Sequence, residues 1–135
     1  YYNNTLIGSC DFSIQGGSVD AAFISITNFS IVPNNGNLTG EEYNIWAGDN
    51  VTKLGETIAQ SEGYITSTNA NVNADGIYYT DMGEATYLSA FGDSGGPVYL
   101  TDSKKVIGIH KGSTAFTSIF VKVDNIASKL NAHFN

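Results

Sequence analysis

Gly92-Asp93-Ser94-Gly95-Gly96-Pro97 is the stretch whose reading decides the fold. A serine set between glycines, with an aspartate before it and a proline shortly after, builds a tight loop. That loop exposes the hydroxyl and aims backbone N–H groups at one point in space. Glycine is required because the loop needs backbone conformations and close approaches that a Cβ would forbid. Donors arranged in this way meet the oxyanion that forms when a serine attacks an acyl carbon. The competing reading, a Gly-rich turn without chemistry, leaves the six-residue specificity of the run unexplained.

Around this loop the chain has 135 residues, enough for one domain or part of a larger one. Apolar residues make up 41% and charged residues 14%, a balance that favours a packed core over disorder. The net charge of −7 argues against nucleic acid or an anionic membrane as partner, since both call for clustered Lys and Arg. No apolar run approaches the ~20 residues of a membrane-spanning helix. The chain begins with Tyr1 and shows no signal peptide, so a processed, secreted product is expected. Cys10 is the single cysteine and has no partner for a disulfide within the chain.

The organisation is that of short strands separated by turns. Strands are expected over 6–15, 21–27, 43–47, 56–60, 64–68, 77–80, 97–100, 106–109 and 116–122. The polar run over 33–40 (PNNGNLTG) is the candidate linker. Repeated strands without intervening helical periodicity point to an antiparallel barrel or sandwich. The end differs: Val123, Ile126, Ala127, Leu130 and Phe134 form a helical stripe, with Asp124 as the expected N-cap.

This layout, together with the Ser94 loop, resembles chymotrypsin-like serine peptidases, and most closely the compact microbial members of the streptogrisin and glutamyl endopeptidase kind. The segments Gly55-Glu56-Thr57, Ile65 to Asn73 and Thr114-Ala115-Phe116 carry the likeness beside the loop. The resemblance implies an all-β, chymotrypsin-like double β-barrel, of which this chain holds the C-terminal portion. Residues 1–32 are then the last strands of barrel one, 33–42 a linker, 43–122 the complete second barrel and 123–135 a C-terminal helix. It also implies that Ser94 is the nucleophile and that the Gly92 and Ser94 N–H groups form the oxyanion hole. Asp20, heading the apolar run Asp20 to Ile26, matches the carboxylate that orients the catalytic imidazole, with Asp11 as runner-up.

The imidazole itself has no counterpart. In this family it precedes the aspartate in a TAGHC-like segment, whereas His110 and His133 both follow Ser94. Loss of that base costs on the order of a millionfold in kcat. Two expectations follow: a complementary N-terminal segment or partner chain supplies the histidine, or the chain is a binding or structural module derived from a peptidase. A supplied segment is expected to cover Leu6, Ile14, Phe23 and Ile24.

The stretch Gly108-Ile109-His110-Lys111-Gly112-Ser113 matches the family strand beside the specificity pocket. In glutamyl endopeptidases a histidine at that place binds the acidic side chain before the scissile bond, which makes His110 the expected reader of Glu or Asp. An imidazole suits the task because it donates a hydrogen bond and can carry charge near neutral pH. Ser89 and Ser113 add hydroxyls, Lys111 adds positive field, and Ile109 to Ser113 is expected to pair with extended substrate backbone. The trypsin-like alternative needs an acid six residues before the nucleophile, where Leu88 stands. One cysteine and two separated histidines make no metal-ligand pattern, and no cofactor is expected. The substrate is a polypeptide.

Overall fold

The computed structural model describes residues 4–28 and 37–133. Eight strands and one helix follow in order: β1 (Gly8–Gly16), β2 (Val19–Ile26), β3 (Asn50–Leu54), β4 (Gln60–Ala74), β5 (Ile77–Ala85), β6 (Pro97–Leu100), β7 (Val106–Ser113), β8 (Ser118–Lys122) and α1 (Val123–Leu130). Strands β3 to β8 close into one six-stranded antiparallel barrel in the order β3-β4-β5-β8-β7-β6. Strands β1 and β2 form a separate two-stranded sheet. The expected all-β barrel with a C-terminal helix is therefore observed, and closure removes the open edges that a six-stranded sheet would otherwise present.

Two packed clusters hold these parts together. Inside the barrel lie Val51, Ile65, Ala85, Tyr87, Val98, Ile107 and Phe120. Outside it, Tyr79, Met82, Ile119, Val121, Ile126 and Leu130 pack together with Ile14 and Ala21 of the hairpin. The alternation along β8 serves both, because Phe120 points one way and Ile119 and Val121 the other. Phe120 fills the barrel only because Gly83 faces it; a Cβ on Gly83 would lie 2.1 Å from the ring.

The β1–β2 hairpin is tied to the barrel at its tip. The Thr80 N–H donates to the Gly17 carbonyl at 2.8 Å, and Gly17 forms a parallel bridge with Tyr79. Gly16 and Gly17 take positive φ there, so the turn needs them. Three residues beyond that anchor the chain reaches Asp20.

Several expected boundaries shift. The stretch over 43–47 is not a strand; Asp49 instead caps a turn by accepting from the Trp46 N–H at 2.8 Å. The strand begins after it, as β3. Residues 56–59 form a bend in which the Thr57 and Ile58 N–H groups turn inward to a carboxylate, described below. Asp124 is not the N-cap of α1; Lys122 occupies that position without a side-chain cap, and Asp124 lies in the first turn. Phe134 and residues 33–36 of the expected linker lie outside the described residues. Residues 39–42 run along the start of β7, with Glu41 bridged to Val106. Ile14 is not left for a partner, since it packs into the outer cluster. Leu6, Phe23 and Ile24 are exposed. No helix among the described residues is long and apolar enough to cross a membrane.

Candidate active site

The Ser94 loop connects the barrel interior to β6. Gly92 and Gly95 adopt φ of 100° and 92°, which a side chain would strain. Between them Asp93 turns inward and Ser94 outward, so Asp93 is buried and Ser94 exposed. Among the described residues no acceptor meets the Gly92 or Ser94 N–H. Two free donors on a strained, solvent-facing turn are what stabilisation of an oxyanion requires.

Asp93 fixes the loop from below. Its carboxylate accepts from Lys53 Nζ at 2.6 Å and from the N–H groups of Thr57 (2.8 Å), Ile58 (3.0 Å) and Ala90 (2.9 Å). The Lys53 and Asp93 side chains are both fully shielded from solvent. The Lys53 hydrogen bond outweighs the penalty of burial and, with the three backbone donors, holds the Asp93 carboxyl well below the usual carboxylate range. Gly55 makes room for this arrangement, since a Cβ there would sit 2.4 Å from Asp93 Oδ1. Sequence reasoning missed Lys53, and it took Gly55 only as part of the family likeness. The available signal was a lone lysine inside Val51-Thr52-Lys53-Leu54, a stretch otherwise suited to a barrel strand.

Strand β7 gathers the remaining groups. The Ser94 hydroxyl donates to the Lys111 carbonyl at 2.7 Å. The Lys111 ammonium pairs with the Asp20 carboxylate and lies 4.1 Å from the centre of the Tyr79 ring. Tyr79 also donates its hydroxyl to Asp20 at 3.4 Å. Although burial works against its charge, the Asp20 carboxylate and Tyr79 hold the Lys111 ammonium above the usual lysine range. Ser94 and Asp20, 74 positions apart in sequence, thus both contact one residue. Asp11 stays within the hairpin, accepting from Ser25.

Two expected substrate contacts change on this geometry. Ile109 does not offer a free edge, because Pro97 of β6 pairs with it, and its side chain packs into the outer cluster. Lys111 turns its charge to Asp20 and does not direct it into a specificity pocket. The β6–β7 side remains occupied through His110, whose N–H donates to the Gly96 carbonyl and whose carbonyl accepts from Gly95, both at 2.8 Å. The open edge therefore begins at Lys111 and runs over Gly112 and Ser113.

His110 is buried, and its Nδ1 shares a 3.0 Å hydrogen bond with the Tyr87 hydroxyl. Burial, reinforced by the charge of Lys53, pulls its pKa down to about 4. The imidazole is consequently neutral at pH 7, which replaces the expectation of a partly charged ring. Burial also raises the Tyr87 phenol above its ordinary range, so its proton stays in place. A pocket of about 200 Å³ is lined by Tyr87, Ser89, Ser113, Thr114 and Ser118 among others. The Ser89 and Ser118 hydroxyls are 2.9 Å apart, and Ser118 donates to the Tyr87 carbonyl at 2.8 Å. Ser118 and Tyr87 were not singled out from sequence; Ser118 lies in the expected strand 116–122, and Tyr87 lies between the expected strands 77–80 and 97–100. His133 pairs with Glu41, away from these groups. Among the described residues no cluster of His, Cys, Asp and Glu could hold a metal ion.

Comparison with known proteins places this geometry in context. The family model described as Trypsin matches residues 25–130. Glutamyl endopeptidase 2 of Streptomyces griseus is 39% identical over 72 residues, a match that spans 53% of this chain and 37% of that protein. Protease A of Thermobifida fusca is 26% identical with a TM-score of 0.78, covering 92% of this chain and 72% of that one. A structure described as a glutamic acid specific serine protease that utilizes a novel histidine triad in substrate binding is 24% identical. Its TM-score is 0.79, covering 97% of this chain and 75% of that one. The chymotrypsin of Cellulomonas bogoriensis is 22% identical with a TM-score of 0.75, covering 92% and 73%. The last two likenesses concern the fold.

Proposed function

The chain belongs to the trypsin family, and on that premise we propose that it works as a serine endopeptidase cleaving after acidic residues. The observation that carries the reading is the Ser94 loop, with an exposed hydroxyl, two free N–H donors and a buried aspartate anchor. In this reading Ser94 attacks the scissile carbonyl, and the Gly92 and Ser94 N–H groups bind the oxyanion. Asp20 orients the imidazole that takes the Ser94 proton and returns it to the leaving amine. We assign that imidazole to a further polypeptide segment, N-terminal or on a partner chain, packed against the hairpin. Support comes from the exposed Leu6 and Ile24 and from the stacked rings of Phe12 and Phe23, whose centres are 5.6 Å apart. The two histidines of this chain are committed elsewhere.

Substrate backbone adds as a strand along Lys111 to Ser113. It takes the place that β6 vacates, and β6 is antiparallel to β7. An antiparallel substrate therefore runs with its residues before the scissile bond toward Thr114. The acidic side chain enters the hydroxyl-lined pocket over Tyr87 and Ser118. In this reading the Tyr87 hydroxyl donates to His110 Nδ1, which leaves the imidazole proton on Nε2 as the donor for the carboxylate. The structure known for a histidine triad offers a parallel, yet this chain has only two histidines. Here Ser89, Ser113 and Ser118 complete the donor set.

A fluorophosphonate probe and paired peptides test the reading on the natural assembly. Ser94 is expected to be labelled, and Ser94→Ala to abolish labelling. A Glu substrate is expected to exceed its Gln counterpart in kcat/KM by about 10², the scale of charge-assisted hydrogen bonds. Absence of labelling in folded, assembled material would favour a non-catalytic module. A preference for Lys, Arg or large aromatics would remove His110 from the role.

A further inference from the structure

A groove of about 660 Å³ lies between the β4–β5 turn, over 72–75, and the open end of β7, over 111–114. It carries two ionised side chains, Asp75 and Lys111. The Lys111 charge is already met by Asp20 and the Tyr79 ring. Asp75 is exposed and makes no ion pair among the described residues. The net field of the groove is thus that of one carboxylate.

That carboxylate is held on a fixed backbone. Ala74 pairs with Ile77, leaving a two-residue turn in which Asp75 has φ 53° and Gly76 φ 78°. Both central residues are left-handed, the geometry that Asp-Gly turns serve between twisted strands. The turn presents Asp75 across the groove from the strand edge that receives substrate. An antiparallel substrate on that edge lays its residues before the scissile bond along 111–114, and so past Asp75.

We infer that Asp75 selects substrates with a lysine or arginine on the N-terminal side of the cleaved acidic residue. The inference rests on the peptidase reading and narrows its substrate class to polypeptides of mixed charge. A long cationic side chain on that side reaches the Asp75 carboxylate while its stem lies over the groove. It also offsets the repulsion between an acidic substrate and a protein of net charge −7.

The test reads binding without turnover. Fluorescein-labelled peptides with Lys-Lys or Gln-Gln preceding a C-terminal Ala-Glu are titrated by anisotropy into the full assembly carrying Ser94→Ala. The same titration is made with Asp75→Asn added, because asparagine tolerates the left-handed turn and preserves the fold. The Lys peptide is expected to bind about three- to fivefold more tightly at low salt, as for an exposed ion pair. That margin is expected to shrink at roughly 0.5 M salt and to vanish with Asp75→Asn. Equal binding of the two peptides, no binding of either, or a margin that survives Asp75→Asn overturns the inference. Labelling of wild-type Ser94 without a Lys margin counts against Asp75 alone. A Lys margin without labelling counts against the peptidase reading alone.

Discussion

Lys53 and Asp93 show how one buried pair governs the exposed Ser94 loop. Removing one partner of a buried pair leaves an uncompensated charge, which costs far more than the pair contributes net. Lys53→Met is therefore expected to lower Tm by roughly 10 °C or more. It is also expected to abolish fluorophosphonate labelling of Ser94, since Asp93 would leave the position from which it holds the loop. The pH dependence carries a sign. The folded Asp93 carboxyl titrates below its ordinary range, so its stabilisation is complete above that range and is lost as pH falls through the depressed value. With Lys53 gone the depression weakens, and acid unfolding is expected to begin at a higher pH. Thermal melts across pH 3 to 7 on the order of one pH unit apart would check both outcomes. An unchanged Tm with labelling retained would show that the three backbone donors suffice.

At the scale of elements, the barrel closes where β3 meets β6 and the Ser94 loop feeds into β6. Gly96 sits at that seam. A Cβ on it would lie 1.9 Å from the Leu54 carbonyl oxygen and 3.1 Å from that of Asp93. Both obstacles are backbone and cannot swing aside. Gly96→Ala is expected to cost about 2–3 kcal/mol in denaturant unfolding, the upper part of the overpacking range. It should also weaken Ser94 labelling, because β3–β6 pairing and the loop share this contact. Gly112→Ala is the comparison: nothing lies within 4 Å of its added Cβ and its φ is ordinary, so stability should change by about 0.5 kcal/mol or less. Equal losses at the two sites would contradict the account of the seam. The sequence pattern located most strands here. It misplaced β3 by several residues, because an aromatic stretch at 43–47 reads like a strand while Asp49 and Gly48 in fact make a turn.

A closed barrel is joined to a hairpin that, among the described residues, has two open edges. Isolated two-stranded sheets are marginal in water, and this one relies on its Gly17 anchor, the Asp20–Lys111 pair and the outer cluster beside α1. Amide exchange of β1 and β2 in the isolated chain is expected to be about a hundredfold or more faster than in β7 and β8. Uniform protection of the hairpin and barrel in the isolated chain would argue that nothing further needs to cover the hairpin. The Ser94 loop, the all-β class and the terminal helix were legible in the residues, because glycine conformations and hydrophobic period are local properties. A lone lysine in a strand-like stretch was the sole hint of Lys53, and nothing local named Asp93 as its partner, showed that Ser118 and Tyr87 would floor the pocket, or turned Lys111 from the pocket to Asp20. Those outcomes depend on which strands become neighbours when the barrel closes, and partners 31 to 91 positions apart leave no local pattern. Local sequence chose the loop and the strands; closure of the barrel chose which charges meet, because only there does desolvation force each buried ion to find its counterion.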